Sequence, residues 1–422
     1  MKFQTRSRES IQELQLKLLR KQIAHCKETV PYYRELLTEL GFDAGKLRDL
    51  IQLERLPLLD KSKVRKNEEG FRSELIAKDK CYKSFSSGST GEPFASYFDA
   101  RSWFSKKYWV KLRARFACGM KLRQRIAIIE CESEELVAKR NRKTGFADAF
   151  LQVRVFSLFK EKKELVAALR EFAPQNIYAY PSHLLELADA HTDDVEIIPG
   201  LERLFTSSEF LERGMRQLIE KKFHAPVFDT YGSTEFKEVA WQCEEKNWYH
   251  INNDQLICEV VDADGSALIN EAGHIVVTDL RNKAMPLLRF DLGDLGVLTN
   301  SPCNCGYHGN SIKPLGGRAS DYLLFDGGIQ LSPFRFTTQI EYLPGMLQYQ
   351  INQTSISHIE ISARLGSEAT ADTLETSSQI IRDAIAFASS SKLADSVQIT
   401  TRIVDSIENE INGKFKIVKR SF

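Results

Sequence analysis

Apolar residues first recur at helical spacing as Ile11, Leu14, Leu16, Leu18, Leu19 and Ile23, then as Leu36, Leu37 and Leu40. Steps of three and four put such positions on one face, so the pattern predicts two helices between residues 8 and 42. Pro31 disfavours helical backbone in the residue before it, which sets the break at Val30. Leu56-Pro57-Leu58-Leu59-Asp60-Lys61 reads as a loop in which Asp60 or Ser62 caps a short helix.

From residue 84 to 235, short apolar runs alternate with helical stretches. Arg125–Glu130, Asn176–Tyr180, Arg203–Thr206 and Val227–Tyr231 predict strands, and Lys163–Phe172, Leu184–His191 and Leu211–Phe223 predict helices. This alternation implies a largely parallel sheet covered by helices. Past residue 250, Leu256–Val261 and His274–Thr278 predict antiparallel strands joined through the turn Asp262-Ala263-Asp264-Gly265, continued by Met285–Phe290 and Gly296–Thr299. Pro302–Gly317 reads as a connector. Ile359–Ala363, Thr373–Ala388 and Val397–Val404 predict strand, helix and strand, with Ala386–Lys392 closing the helix. The expected fold class is α/β. A large N-terminal domain, 1–317, has mixed sheets flanked by helices and a β-rich subdomain at 243–305; a small α+β C-terminal domain, 318–422, follows.

The charge balance removes whole classes of function. Among 422 residues, 58 Lys and Arg face 57 Asp and Glu, a net charge of +1. That argues against a nucleic-acid partner and against a polybasic membrane anchor. The first residues lack the apolar core of a secretory signal, and no apolar run approaches the roughly 18 residues of a membrane span. The expectation is a cytoplasmic protein with thiols kept reduced, clustered ones being metal ligands.

Five polar clusters carry candidate chemistry. Ser86-Ser87-Gly88-Ser89-Thr90-Gly91 combines glycines, which let backbone N–H groups approach phosphate oxygens, with hydroxyl donors. It lacks the G-x-x-x-x-G-K-[ST] spacing of a nucleoside-triphosphate P-loop. Asp229-Thr230-Tyr231-Gly232-Ser233-Thr234-Glu235 follows an apolar strand, where ligands bind in parallel sheets. There Tyr231 suits stacking on a base, Thr234 a phosphate and Glu235 Mg²⁺, a hard cation. The remaining clusters are Arg289–Gly296, Gly316–Asp321 and Asn412-Gly413-Lys414. Taken singly, each of the five also reads as a polar turn.

Cys243-x6-His250 and Cys303-x-Cys305 offer three thiolates and an imidazole, a full tetrahedral set for structural zinc with no position left for water. His308 is an alternative to His250. Cysteines 26, 81, 118, 131 and 258 read as packing residues. His183, His191 and His224 read as surface or capping residues, with His183 set apart because Tyr180-Pro181-Ser182 ends a strand. The runs Lys61–Lys66 and Lys139–Lys143 read as solvated faces.

In their order and separation these clusters resemble the adenylate-forming superfamily of acyl-CoA synthetases, adenylation domains and luciferases. Val30-Pro31-Tyr32-Tyr33 and Leu56–Lys61 narrow the resemblance to its phenylacetate–CoA ligase-like branch, which includes capsule-biosynthesis members. The resemblance spans nearly the whole chain. It implies that Ser86, Ser87, Gly88, Ser89, Thr90 and Gly91 wrap the β- and γ-phosphates of ATP. Ser208 and Glu209 would line the adenine. Tyr231, Gly232 and Ser233 belong to the adenine motif, with Tyr231 stacking, Thr234 on the α-phosphate and Glu235 on Mg²⁺. Asp294 would take the ribose hydroxyls with Arg318 beside it, Asp321 would be a hinge and Lys414 a mobile catalytic lysine. Cys303-Asn304-Cys305-Gly306 resembles a Cys-Pro-Cys-Gly motif of the branch. Tyr180, Ser182 and His183 lie beside the acyl pocket it implies, with aromatic Phe205 and Phe228 as further lining candidates.

Two departures stand out: Glu92 replaces a frequent lysine, and the ribose motif carries Asp291 and Leu292 for Arg and Thr. The implied reaction activates a small carboxylic acid with ATP and Mg²⁺, then transfers it to a thiol, coenzyme A. An amide ligase acting on an amine or sugar intermediate, and a nucleotide-binding protein without turnover, stay open, as does a homo-oligomer such as a dimer.

Overall fold

The computed structural model describes residues 6–85, 94–130, 132–142, 152–189, 197–318, 322–331, 333–408 and 415–422. The predicted N-terminal helices are Arg8–Thr29 and Pro31–Glu39. Val30 is extended and Pro31 opens the second helix, the position where a missing N–H is harmless. Asp60 caps Lys61–Lys66, its side chain accepting from Lys63 N–H at 2.7 Å.

The chain forms two compact units, the first made of residues 1–119 and 230–314, the second of 120–229 and 315–422. In the first unit, Leu256–Val261, Ala272–Asp279 and Phe290–Thr299 are successive antiparallel neighbours, with Cys258 opposite Val277 and Val277 opposite Phe290. Tyr249–Ile251 pairs with Lys237–Gln242 and with the start of Ser311–Arg318. The core packs Leu19, Ile23 and Tyr33 of the helices against Val260, Val277 and Phe290 of these strands. Pro302–Gly317 is thus not wholly a connector, since Ser311–Arg318 is a strand. Met285–Arg289 is outside any strand; its apolar side chains are core residues of a non-strand segment.

In the second unit, Arg125–Glu130, Asn176–Ala179 and Arg203–Ser207 run parallel, as predicted, and Gln152–Ser157 adds a parallel partner to the first. The helix expected from Leu184 starts at Pro181. Residues 315–422 contribute the strands Met346–Ser355, His358–Leu365, Gln398–Ile403 and Val418–Arg420, and the helix Thr373–Ala388 at its predicted bounds. Met346–Ser355 was not predicted, although Leu347, Tyr349 and Ile351 alternate with Gln348, Gln350 and Asn352 at strand period.

Within this unit the helix Arg213–Phe223 packs on Met346–Ser355. Gly214 makes the approach sterically feasible, because a Cβ there would lie 2.1 Å from Met346 O and 2.7 Å from Leu347 Cα. Beside it Glu212 is buried with Oε1 lacking a hydrogen-bond partner. Burial, and then the charge of Glu341, hold its carboxyl well above the ordinary range.

Gly214→Ala should therefore destabilise the second unit by about 1–3 kcal/mol, the usual range for overpacking; unchanged chemical denaturation would contradict the contact. Glu212 stays protonated in the folded chain to a higher pH than in the unfolded one, so its contribution is complete below the ordinary carboxyl range and lost as pH rises. Glu212→Gln should be nearly neutral in thermal unfolding at about pH 4 and increasingly stabilising toward pH 8. A pH-independent difference would be the contrary result.

Candidate active site

Residues 230–242 form a hairpin in the first unit. Tyr231 lies opposite Ala240, Gly232 opposite Glu238 and Ser233 opposite Lys237, with a register shift between Tyr231 and Gly232. The segment is a strand-to-strand turn and not a helix start. A Cβ on Gly232 would sit 2.4 Å from Lys237 O, so only glycine fits. Phe236 is buried against Phe290, with ring centroids 5.9 Å apart, and this anchor draws the turn inward.

Glu235 is carried in with it. Its side chain is 1% exposed, Lys61 Nζ lies 3.1 Å from Oε1, and among the described residues neither carboxylate oxygen has a hydrogen-bond partner. An ionised carboxylate so placed is expensive without a cation. Lys61 is thus more than part of a solvated face. Tyr231, half-buried, donates its hydroxyl to Asp294 Oδ2 at 2.8 Å, joining two motifs 63 residues apart. Thr234 and Ser233 are half-buried in the same turn, and Ser233 Oγ accepts from Phe236 N–H at 3.2 Å. Asp291, the departure in the ribose motif, pairs with His274 at 3.3 Å and caps Gly293 N–H at 2.8 Å.

The cysteine–histidine set also converges. One ligand atom from each of Cys243, His250, Cys303 and Cys305 lies within 4.8 Å of the others. Cys243 Sγ and Cys303 Sγ are 3.7 Å apart, and His250 Nε2 is 3.2 Å from Cys305 Sγ. A tetrahedron with zinc–sulfur bonds of about 2.3 Å has S–S edges near 3.8 Å. His250 Nδ1 lies 2.9 Å from Ser311 Oγ, and the imidazole stacks on Tyr307 at 4.2 Å, so its orientation is fixed from behind. Burial lowers the His250 pKa to about 4, leaving a neutral, ligating ring. His308 is exposed and outside the cluster. Cys26, Cys118 and Cys258 are buried, and Cys81 is half-buried.

In the second unit, Glu209 has partners of its own. Ser182 gives its N–H to Oε2 and its hydroxyl to Oε1, each at 3.0 Å, and Phe415 N–H donates to Oε1 at 3.0 Å. Ser208 takes the left-handed φ of +74° beside it. His183 is fully buried and stacked on Tyr180 at 4.7 Å, which corrects its reading as a surface or capping residue; the apolar face of Pro181–Asp189 takes it inside. His224 does close a helix, with φ of +52°. Phe205 and Phe228 are buried against each other at 5.9 Å. Arg318 ends a strand. Residues 86–93, Asp321 and Lys414, with Cys131 and His191, lie outside the described residues.

Sequence reasoning missed Lys61 and Lys237 as site residues. Lys61 had a signal in the motif Leu56–Lys61, whereas Lys237 had none beyond its place two residues after Glu235.

No family model matches the chain. A phenylacetate–coenzyme A ligase of Thermus thermophilus is 27% identical over 83% of this chain and 79% of its own. Protein CapK of Staphylococcus aureus is 22% identical over 82% of this chain and 76% of its own. Among solved structures, a 2-hydroxyisobutyryl-CoA ligase, in the postadenylation state with R3-HIB-AMP, superposes with a TM-score of 0.74 at 19% identity. That superposition covers 98% of this chain and 91% of the other. The fold and the curated relatives together support the resemblance of this chain to the adenylate-forming family, in its phenylacetate–CoA ligase-like branch.

Proposed function

We propose that the protein is an ATP-dependent, AMP-forming carboxylate ligase that passes the activated acyl group to the thiol of coenzyme A. The observation that carries this reading is Glu235, a buried carboxylate with neither oxygen hydrogen-bonded among the described residues and Lys61 at 3.1 Å. Such a group fits a hard divalent cation, and Glu235 would hold Mg²⁺, which neutralises phosphoryl charge when bound. Tyr231 stacks on the adenine, while its hydroxyl keeps Asp294 aimed at the ribose. Thr234 donates to the α-phosphate, and the hydroxyls and N–H groups of 86–91 take the β- and γ-phosphates.

A carboxylate oxygen of the acid attacks the α-phosphorus, and pyrophosphate leaves with the electron pair of the broken P–O bond. The coenzyme A thiol, giving its proton to solvent, then attacks the acyl carbon, and AMP departs with the electron pair of the broken C–O bond. The chain supplies alignment and charge neutralisation rather than proton chemistry. Lys414 assists the first step, and residues 318–422 turn about Asp321 between the two, a gating motion. The names of the curated relatives support coenzyme A over an amine as acceptor. Cys243, His250, Cys303 and Cys305 hold a structural zinc that ties the two ends of 243–305.

Glu235→Gln should lower acid-dependent pyrophosphate exchange by about 100-fold or more, the scale of a lost electrostatic stabiliser. Lys414→Ala should lose adenylate formation while still consuming synthetic acyl adenylate in the presence of coenzyme A; equal loss of both half-reactions would remove Lys414 from this role. Elemental analysis of protein purified without added metal should give about one zinc per chain. Cys303→Ser should lose that zinc and lower the thermal midpoint, and unchanged metal content would refute the site.

A further inference from the structure

Two residues beyond Glu235 the hairpin presents Lys237 at a strained backbone position, with φ of +64°. Left-handed, bulky residues persist where the surroundings over-determine them, often at functional sites. Lys237 Nζ donates to Ser84 Oγ and lies 4.9 Å from the ring centroid of Trp103 and 5.2 Å from that of Phe98. Tyr82 stacks on Trp103 at 5.3 Å. Lys107 Nζ reaches the same indole at 5.2 Å. It comes from Ser105–Val110, a π-helical turn between two α-helical segments, a distortion frequent at functional sites.

The result is a ring-walled place with two ammonium groups converging on one indole. Neither Lys107 nor Lys237 has an ion-pair partner among the described residues. Lys106, from the same turn, is committed to Asp279. Cations held together in partly apolar surroundings are unfavourable unless a ligand brings the counter-charge.

We propose that Lys237, with Lys107, receives a second anionic group on the acid, so that the substrate is a dianion with an apolar or aromatic body and a distal carboxylate or phosphate. This rests on the reading of Glu235 as the adenylation centre and names the class of acid activated there. The walls decide between the acid and the polyphosphate of ATP. Trp103 and Tyr82, the accessible rings, offer mainly apolar faces, which suit a carbon skeleton better than a polyphosphate. A polar group that meets no partner is rejected far more strongly than a surplus methylene, so the same lysines would also exclude plain monocarboxylic acids.

The test compares matched acids that differ by one carboxylate: phenylacetate with 4-carboxyphenylacetate, benzoate with isophthalate, and butyrate with glutarate. Pyrophosphate exchange is measured with wild type, Lys237→Met, Lys237→Arg and Lys107→Met. The wild type should favour the dianion of at least one pair by about ten-fold or more in kcat/KM. Lys237→Met should lose that preference and Lys237→Arg should keep most of it; Lys107→Met provides the independent arm should Lys237→Met fail to fold. Preference for the monoanion in every pair overturns the proposal, and so does a Lys237→Met effect that appears as a raised KM for ATP common to all acids. If no acid supports exchange, thermal shift with the same acids decides. Stabilisation of wild type but not Lys237→Met by a dianion upholds the subsite while the ligase reading fails, and no stabilisation by any dianion overturns the subsite itself.

Discussion

The constraint on which the rest of the first unit depends is the burial of the Glu235 carboxylate. A charge taken from water needs a partner and hydrogen bonds to be tolerated, and among the described residues Glu235 has Lys61 but no hydrogen bond. Phe236 holds the turn down from one side through its contact with Phe290. Gly232 lets the paired strand close over it without a side chain between. The helix Lys61–Lys66 then has to begin where it does, with Asp60 as its cap, for Lys61 to reach the acid. A buried carboxylate left short of partners is a poor way to stabilise a fold and a good way to prepare for a cation.

The Tyr231–Asp294 hydrogen bond extends that preparation to a second motif. Asp294 follows Gly293, whose φ is +75°, and Asp291 stabilises that turn by accepting Gly293 N–H. The replacement of the usual arginine by Asp291 therefore has a local structural role: it caps the turn that presents Asp294 and engages His274 from the neighbouring strand. A motif can lose one of its usual residues and keep its geometry when the replacement satisfies the same backbone.

How far the sequence was readable follows from how local each signal is. Helix breaks and caps depend on one or two neighbours, so Pro31 and Asp60 were legible. Parallel strands carried continuous apolar runs and were found, apart from Gln152–Ser157, where Gln152 and Arg154 interrupt the pattern. Ser311–Arg318 was hidden by Pro314 and two glycines, residues that ordinarily mark connectors. In the site, the ligand types of Cys243, His250, Cys303 and Cys305 pointed to a set that the fold does bring together. What pattern could not supply was pairing across distance: that Lys61 reaches Glu235 from far along the chain, or that Glu209 engages Ser182 and Phe415. Those depend on three-dimensional register, which no single stretch encodes.

The proposed turning of 318–422 makes a demand on its contacts with 120–229 inside the second unit. A segment that moves cannot be fixed by a large apolar seal, and the contacts here are individually modest. Arg364 and Asp189 form a bidentate pair that keeps partial exposure, so water can take over both charges when the pair opens. Glu209 holds Phe415, next in the chain after Lys414, through one backbone hydrogen bond, worth about 1.5–3 kcal/mol with a carboxylate as acceptor. Gly214 against Met346 is a tight backbone approach, and Phe210 adds an apolar contact with the core of the C-terminal strands. Glu212, buried and under-bonded, subtracts from the sum at neutral pH. Close geometry with small net energy suits an arrangement occupied for one half-reaction and left for the next, since the free energy needed to leave it stays within what substrate binding can redistribute.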